Sequence, residues 1–201
     1  VAIHTDAGTI LDDTIVYRMD DGEDGSEPDF MVVPNAGNIA AVHTALNQRA
    51  SGWDATVEDQ SSTTSLVAVQ GPQAERILAR AMPEAAAQLA ELKYYGHLTL
   101  TVPTEAGDVT AVVARTGYTG EDGFELFLPA SSTQEAGDRG SAVWTAVQKA
   151  AEAAVDQADA LYRQAVITAM QNVADALRSL QADARALQAA VKAELARSEE
   201  R

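Results

Sequence analysis

The sequence predicts an α+β fold: a mixed or antiparallel sheet with flanking helices, followed by a long C-terminal helix. Three observations predict it. Short β-branched runs alternate with amphipathic helical stretches through the first 140 residues, and some of the runs face each other across turn-rich segments, as hairpin strands do. The last Pro is Pro129 and the last Gly is Gly140, so the remaining 61 residues hold no breaker and are rich in Ala, Leu, Gln, Arg and Glu. Charge divides at the same place, with 7 basic and 22 acidic residues in 1–140 but 7 and 8 in 141–201. These shifts set a boundary within 141–155. They assign residues 1–145 to a folded domain and 146–201 to a helical, coiled-coil extension.

The elements follow in order. Thr14 to Arg18 and Phe30 to Val33 are β-branched or apolar runs, and the polar stretch Asp20 to Pro28 between them predicts a hairpin with a long acidic loop. A calcium loop is excluded there, because Gly22 occupies the third-ligand position and no bidentate Glu falls at position twelve. Asn38 to Ala50 reads as a helix with Ile39, Val42 and Leu46 on one face. Leu66 to Gln70 is a strand running into Gly71-Pro72. Pro72 then sits near the first turn of a helix, Gln73 to Met82, where a missing N–H costs little. Leu98 to Val102 and Val109 to Ala114 form a second hairpin, and Glu125 to Leu128 a further strand.

Composition narrows the function. The net charge of −16 over 201 residues repels phosphate backbones and anionic lipid, which argues against a nucleic-acid-binding or membrane-surface module. With no Cys there is no thiolate nucleophile, disulfide or cysteine-bound metal. No apolar run reaches about 18 residues, so no transmembrane helix is expected. The N-terminus has no signal-peptide pattern, and opening on Val1 rather than Met suggests a longer parent chain. P-loop, zincin and nucleophile-elbow signatures are missing. His4, His43 and His97 lie far apart in the sequence, so each reads as a surface or packing residue and no metal is expected.

Two stretches carry chemistry. Asp12 and Asp13 adjoin a strand, so they point to opposite faces, one toward solvent and one toward a cleft. A buried carboxylate exchanges a proton near neutrality. A polar turn before a strand is the alternative, and composition alone favours it. The second stretch is Arg115-Thr116-Gly117-Tyr118-Thr119-Gly120-Glu121-Asp122-Gly123-Phe124-Glu125. Glycines every third residue let the backbone fold tightly and approach a ligand. The stretch precedes a strand, unlike a dinucleotide fingerprint. Its carboxylates suit an uncharged heterocycle that offers N–H donors. Here the alternative is a glycine-rich β-connection.

Four segments occur in a telling order: Leu11-Asp12-Asp13-Thr14-Ile15-Val16-Tyr17-Arg18, Val32-Val33-Pro34-Asn35-Ala36-Gly37-Asn38, Leu66-Val67-Ala68-Val69-Gln70-Gly71-Pro72, and Arg115 through Glu125. Together they resemble the folate-binding region of the glycine-cleavage T-protein, the aminomethyltransferase, over about residues 5–150. The resemblance implies a cytoplasmic enzyme that takes an aminomethyl group from the lipoyl arm of H-protein. It passes the carbon to tetrahydrofolate, its substrate and carrier, and releases ammonia. Asp13 matches the catalytic carboxylate, which would manage the proton at the reacting amine and stabilise an iminium-like cation. Asn35 matches the Asn beside it. Tyr118 and Glu125 match folate-contacting positions, and Arg115 joins them or, like Asp12, serves structurally. The family's stretch before the Asp pair, its downstream arginine-bearing segment and its C-terminal barrel-like domain are not in the sequence. An incomplete cleft is therefore expected, and a non-catalytic folate-binding module is the alternative function.

The tail follows another pattern. Val166, Met170, Val173, Leu177, Leu180, Ala184, Leu187 and Val191 form a heptad seam, offset by one position from an earlier seam through Val147, Ala151, Ala154, Ala158, Leu161 and Ala165. One helix over 141–197 would be roughly 85 Å long, and its stripe would support self-association. Residues 159–177 resemble a helix of outer-membrane efflux channel proteins. A composite chain whose helix mediates oligomerisation is thus a further expectation.

Overall fold

The computed structural model describes residues 1–19 and 29–199, the side chains of residues 166, 169, 170 and 172–199 excepted. The acidic loop expected at 20–28 and the side chains of the 166–191 seam lie outside the described residues. The chain divides into two compact units, Val1–Ala150 and Ala151–Arg201.

In the first unit, β1 (Ala2–His4) pairs antiparallel with β2 (Ile10–Asp13), and β3 (Ile15–Arg18) with β4 (Phe30–Val33). The second pair is the hairpin its β-branched runs predict. A 3-10 turn, Ala36–Asn38, leads into α1 (Ile39–Ala50), which buries Val42. Then come β5 (Thr64–Gln70), α2 (Ala74–Ala81) and α3 (Ala86–Glu91), followed by β6 (His97–Val102), β7 (Val109–Ala114) and β8 (Gly123–Pro129). The last four strands form one antiparallel sheet in the order β5-β8-β7-β6. The fold is α+β, with antiparallel sheets, flanking helices and a long C-terminal helix, as the alternating pattern predicts.

Alternation along β8 explains the layers. Phe124, Leu126 and Leu128 point to one face, into a core with Val67 and Val69 of β5, Leu78 of α2 and Leu89 of α3. Phe127 points to the other face and packs with Tyr17 and Ala114, against Ile15, Met31 and Val33 of the β3–β4 hairpin. β8 is buried on both faces from Gly123 to Leu128. That is why its apolar run is nearly continuous rather than alternating.

Two elements depart from expectation. The sequence pattern predicts no element over 83–91, yet a 3-10 turn beginning at Pro83 runs into α3 and buries Leu89. The long helix, α4 (Thr133–Glu199), begins before Gly140 rather than after it, and runs through Gly137 and Gly140. Its start is set by capping: the Glu135 N–H donates to Ser132 Oγ at 3.2 Å, while the Glu135 carboxylate accepts from the Ser131 N–H at 2.8 Å. Gly140 is there for contact, because a Cβ on it would lie 2.8 Å from Ser65 Oγ on β5. Among the described residues, no helix is long and apolar enough to cross a membrane.

Candidate functional site

β2 ends at the paired carboxylates, and the chain Pro34-Asn35-Ala36-Gly37-Asn38 returns to meet them. Asn35 is extended (φ −63°, ψ 140°), and the 3-10 turn after it swings Asn38 back toward the same carboxylate. Asp12 is 4% exposed. Its Oδ2 accepts the Asn35 backbone N–H at 2.9 Å; its Oδ1 accepts Asn35 Nδ2 at 2.7 Å and Asn38 Nδ2 at 2.9 Å. The Asn35 side-chain hydrogen bond, with the Asn38 and backbone bonds after it, outweighs burial and holds the Asp12 carboxyl below its usual range. Asp13 is exposed and meets Asn35 Nδ2 at 2.9 Å through Oδ1. Of the two adjacent carboxylates, one is buried and one is exposed.

Glu125 sits on the hairpin-covered face of β8 and is 6% exposed. Its Oε2 accepts from Thr116 Oγ1 at 2.6 Å, and Thr116 Oγ1 lies 3.0 Å from the Tyr17 hydroxyl. Tyr17 is edge-on to Phe127 and to His97, whose Nε2 donates to the Arg18 carbonyl at 2.9 Å. Burial raises the Tyr17 hydroxyl above its ordinary range, against the lowering effect of the Thr116 bond. Tyr118, largely exposed, ties the groups together. Partial burial and then the charges of Asp13, Glu125 and Asp12 push its hydroxyl up. Asp12, Asp13, Asn35, Tyr118 and Glu125 therefore share one neighbourhood.

The glycines of 115–125 have separate tasks. Gly120 adopts φ +77°, open to glycine at little cost. Gly117 and Gly123 make room for Gln70, since a Cβ on either would fall 1.8 or 2.0 Å from Gln70 Oε1. Gln70 Nε2 bridges the Thr116 and Phe124 carbonyls at 3.0 and 3.1 Å. Among the described residues its buried Oε1 has no hydrogen-bond partner; it lies over the Cα–H side of both glycines, a weak C–H···O environment.

Arg115, expected either among the ligand-binding residues or in a structural role, has a dense set of protein contacts. Its guanidinium lies 5.1 Å above the Phe124 ring, on the helix-covered face. Nε and Nη2 grip Asp122 at 2.9 and 2.6 Å, Nη2 also meets Glu75 at 2.9 Å, and Nη1 donates to the Leu89 and Leu92 carbonyls at 3.3 and 3.1 Å. This fork caps α3 and pins the glycine loop. The Asp122 carboxyl is held below its usual range, chiefly by the Arg115 hydrogen bonds.

Sequence reasoning passed over Tyr95. It takes φ +63°, a left-handed conformation uncommon for a side chain of this size, and its N–H donates to the Arg115 carbonyl at 3.0 Å. Its ring is exposed and edge-on to Tyr94 at 4.4 Å. Tyr95 and Tyr118 both contribute to the raised Tyr17 hydroxyl, so both rings border the same network. Among the described residues, no cluster of three or more His, Asp or Glu is arranged to hold a metal.

The GCVT N-terminal domain model matches residues 1–158, which contain every residue of this neighbourhood. The chain belongs to the GCVT N-terminal domain family. It is 46% identical over 147 residues to an aminomethyltransferase of Streptomyces coelicolor, covering 73% of this chain and 34% of the relative. It is 47% identical over 128 residues to that of Streptomyces avermitilis (64% and 31%), and 37% identical over 150 residues to that of Exiguobacterium sibiricum (75% and 36%). This GCVT domain thus spans about a third of the length of the curated relatives it matches.

Proposed function

We propose that this domain is the folate-binding part of an aminomethyltransferase of the glycine cleavage system. The reaction moves a one-carbon unit from the aminomethyl-lipoyl arm of H-protein to tetrahydrofolate and releases ammonia. The observation that carries the reading is the pairing of an open carboxylate, Asp13, with a buried acceptor, Glu125, both within electrostatic reach of Tyr118. Bound tetrahydrofolate would supply the nucleophilic amine that accepts the carbon.

The residues present fit a pterin. Among the described residues Glu125 is engaged through Oε2, which leaves acceptor capacity for ring N–H groups. Tyr95 and Tyr118 offer exposed rings for stacking on a flat heterocycle. Asp13, steered by Asn35 Nδ2, is the group to hold or take the proton at the reacting amine. Arg115 takes the structural role that its five contacts describe, and positions the loop that carries Tyr118. The H-protein partner and a cytoplasmic location belong to the same reading.

Calorimetric titration with tetrahydrofolate tests the binding half; saturable one-to-one binding is expected. Single-turnover assay with aminomethylated H-protein tests the transfer half. Binding without turnover would leave a non-catalytic folate module, and no binding would overturn the reading.

A further inference from the structure

Glu125 does not stand alone in the interior. Tyr17 is 3% exposed, Thr116 is 1% and Glu125 is 6%, and their polar atoms form a file running from β3 through the glycine loop to β8. The direction of the file is set by hydrogen counting. A hydroxyl owns one hydrogen, and Thr116 Oγ1 spends its own on Glu125 Oε2 at 2.6 Å. The 3.0 Å contact between Tyr17 and Thr116 must then have Tyr17 as donor. Tyr17 keeps its proton, because burial raises its hydroxyl above the ordinary range. The file is braced at Tyr17 and at Thr116. The Tyr17 ring lies edge-on between Phe127 and His97, and the Thr116 carbonyl is held by Gln70 Nε2 at 3.0 Å.

From this we infer that Tyr17 and Thr116 are positioning residues that fix the orientation of the Glu125 carboxylate through Oε2 and thereby select ligands presenting N–H donors at that edge. Loss of the Thr116 hydroxyl would free the Glu125 carboxylate to turn, and the file would break. Thr116 therefore discriminates between an amino-bearing heterocycle edge and one carrying a methyl group or an acceptor. The inference rests on the folate reading for the identity of the ligand, but not for the existence of the file.

The experiment titrates tetrahydrofolate and its 2-desamino-2-methyl analogue by calorimetry against the wild type, Thr116→Ser, Thr116→Val and Tyr17→Phe. Wild type and Thr116→Ser are expected to prefer tetrahydrofolate by about ten- to a hundredfold. Thr116→Val, isosteric but unable to donate, is expected to lose most of that preference, and Tyr17→Phe part of it. Retained preference in Thr116→Val, or equal loss in Thr116→Ser, would overturn the inference. A ligand-free arm uses proton NMR. The Thr116 and Tyr17 hydroxyl protons should be visible through slow exchange, and Glu125→Gln should move the Thr116 resonance upfield. If the wild type binds neither ligand, the folate reading alone fails, and the hydroxyl resonances decide: their absence in the wild type would sink the file.

Discussion

Asn35 embraces Asp12, giving its backbone N–H to Oδ2 at 2.9 Å and its side-chain amide to Oδ1 at 2.7 Å. These bonds favour the charged carboxylate, and the folded-state pKa of Asp12 lies below the ordinary 3.8. The unfolded chain binds the proton more readily, so the contribution to stability is fully present above pH 3.8 and is lost as pH falls through that value toward the folded one. Asp12→Asn replaces an acceptor with an amide that faces the Asn35 and Asn38 donors. Thermal melts at neutral pH should show a lower midpoint for Asp12→Asn. Between pH 5 and 3 the variant should lose less further stability than the wild type, and an unchanged acid limb would show that the embrace is not energetically coupled to folding.

Asp13 makes the opposite prediction. Its carboxylate is exposed and shares one amide with its neighbour, so Asp13→Asn should melt within about 0.5 kcal/mol of the wild type, as surface substitutions do. The proposed proton-handling role requires that aminomethyl transfer fall by roughly a hundredfold or more while tetrahydrofolate affinity stays within a few fold. Single-turnover kinetics, normalised to folded protein, check both. Full activity in Asp13→Asn, with loss confined to Asp12→Asn, would move the catalytic assignment to Asp12.

The wedge formed by Gln70 and its two glycines predicts a coupled pair. Gly117→Ala places a Cβ 1.8 Å from Gln70 Oε1, and the Gln70 amide cannot retreat without releasing the Thr116 and Phe124 carbonyls. Overpacking plus the lost bonds should cost about 1–3 kcal/mol. In a Gln70→Ala background the clash disappears, so Gly117→Ala should then be nearly neutral. Urea unfolding of the four proteins gives the coupling energy, and additive effects would show that Gly117 is required for some other reason.

What the sequence reveals of this protein follows from how local each cause is. The β3–β4 and β6–β7 hairpins rest on β-branched runs separated by turn residues, and both pair as expected. The clustering of Asp12, Asp13 and Asn35 was reachable through family likeness, but its division of labour was not. Which carboxylate is buried depends on the return of the Asn35–Asn38 turn, and alternation alone leaves both faces open. In the sequence Gln70 shows only as the end of a strand, because its role comes from pairing with Gly123 of β8. The motif around Arg115 suggests a ligand contact or a structural role without revealing its partners. Its partners Glu75, Leu89 and Leu92 belong to α2, to α3 and to the residue that ends it, and the second of those helices has no strong sequence signal. Tyr95 owes its left-handed backbone to the neighbouring Gly96 turn, which no periodicity registers.

The same contrast between local and non-local causes separates two glycines three residues apart in α4. A helical glycine costs about 1 kcal/mol relative to alanine through backbone entropy. At Gly137 an added Cβ meets nothing within 4 Å, so Gly137→Ala should recover most of that cost. At Gly140 the added Cβ lies 2.8 Å from Ser65 Oγ and 3.0 Å from Ser65 Cβ, and Ser65 Oγ is donating to the Ala136 carbonyl at 2.6 Å. Displacing that hydroxyl forfeits a bond worth about 1 kcal/mol and adds strain against β5. Gly140→Ala should therefore be neutral or destabilising despite the better helix former. In a Ser65→Gly background the obstruction is gone, and the gain at position 140 should match that at 137. Differential scanning calorimetry of the single and double variants checks the order, and equal stabilisation by Gly137→Ala and Gly140→Ala in the wild-type background would show that α4 does not pack on β5 through Gly140.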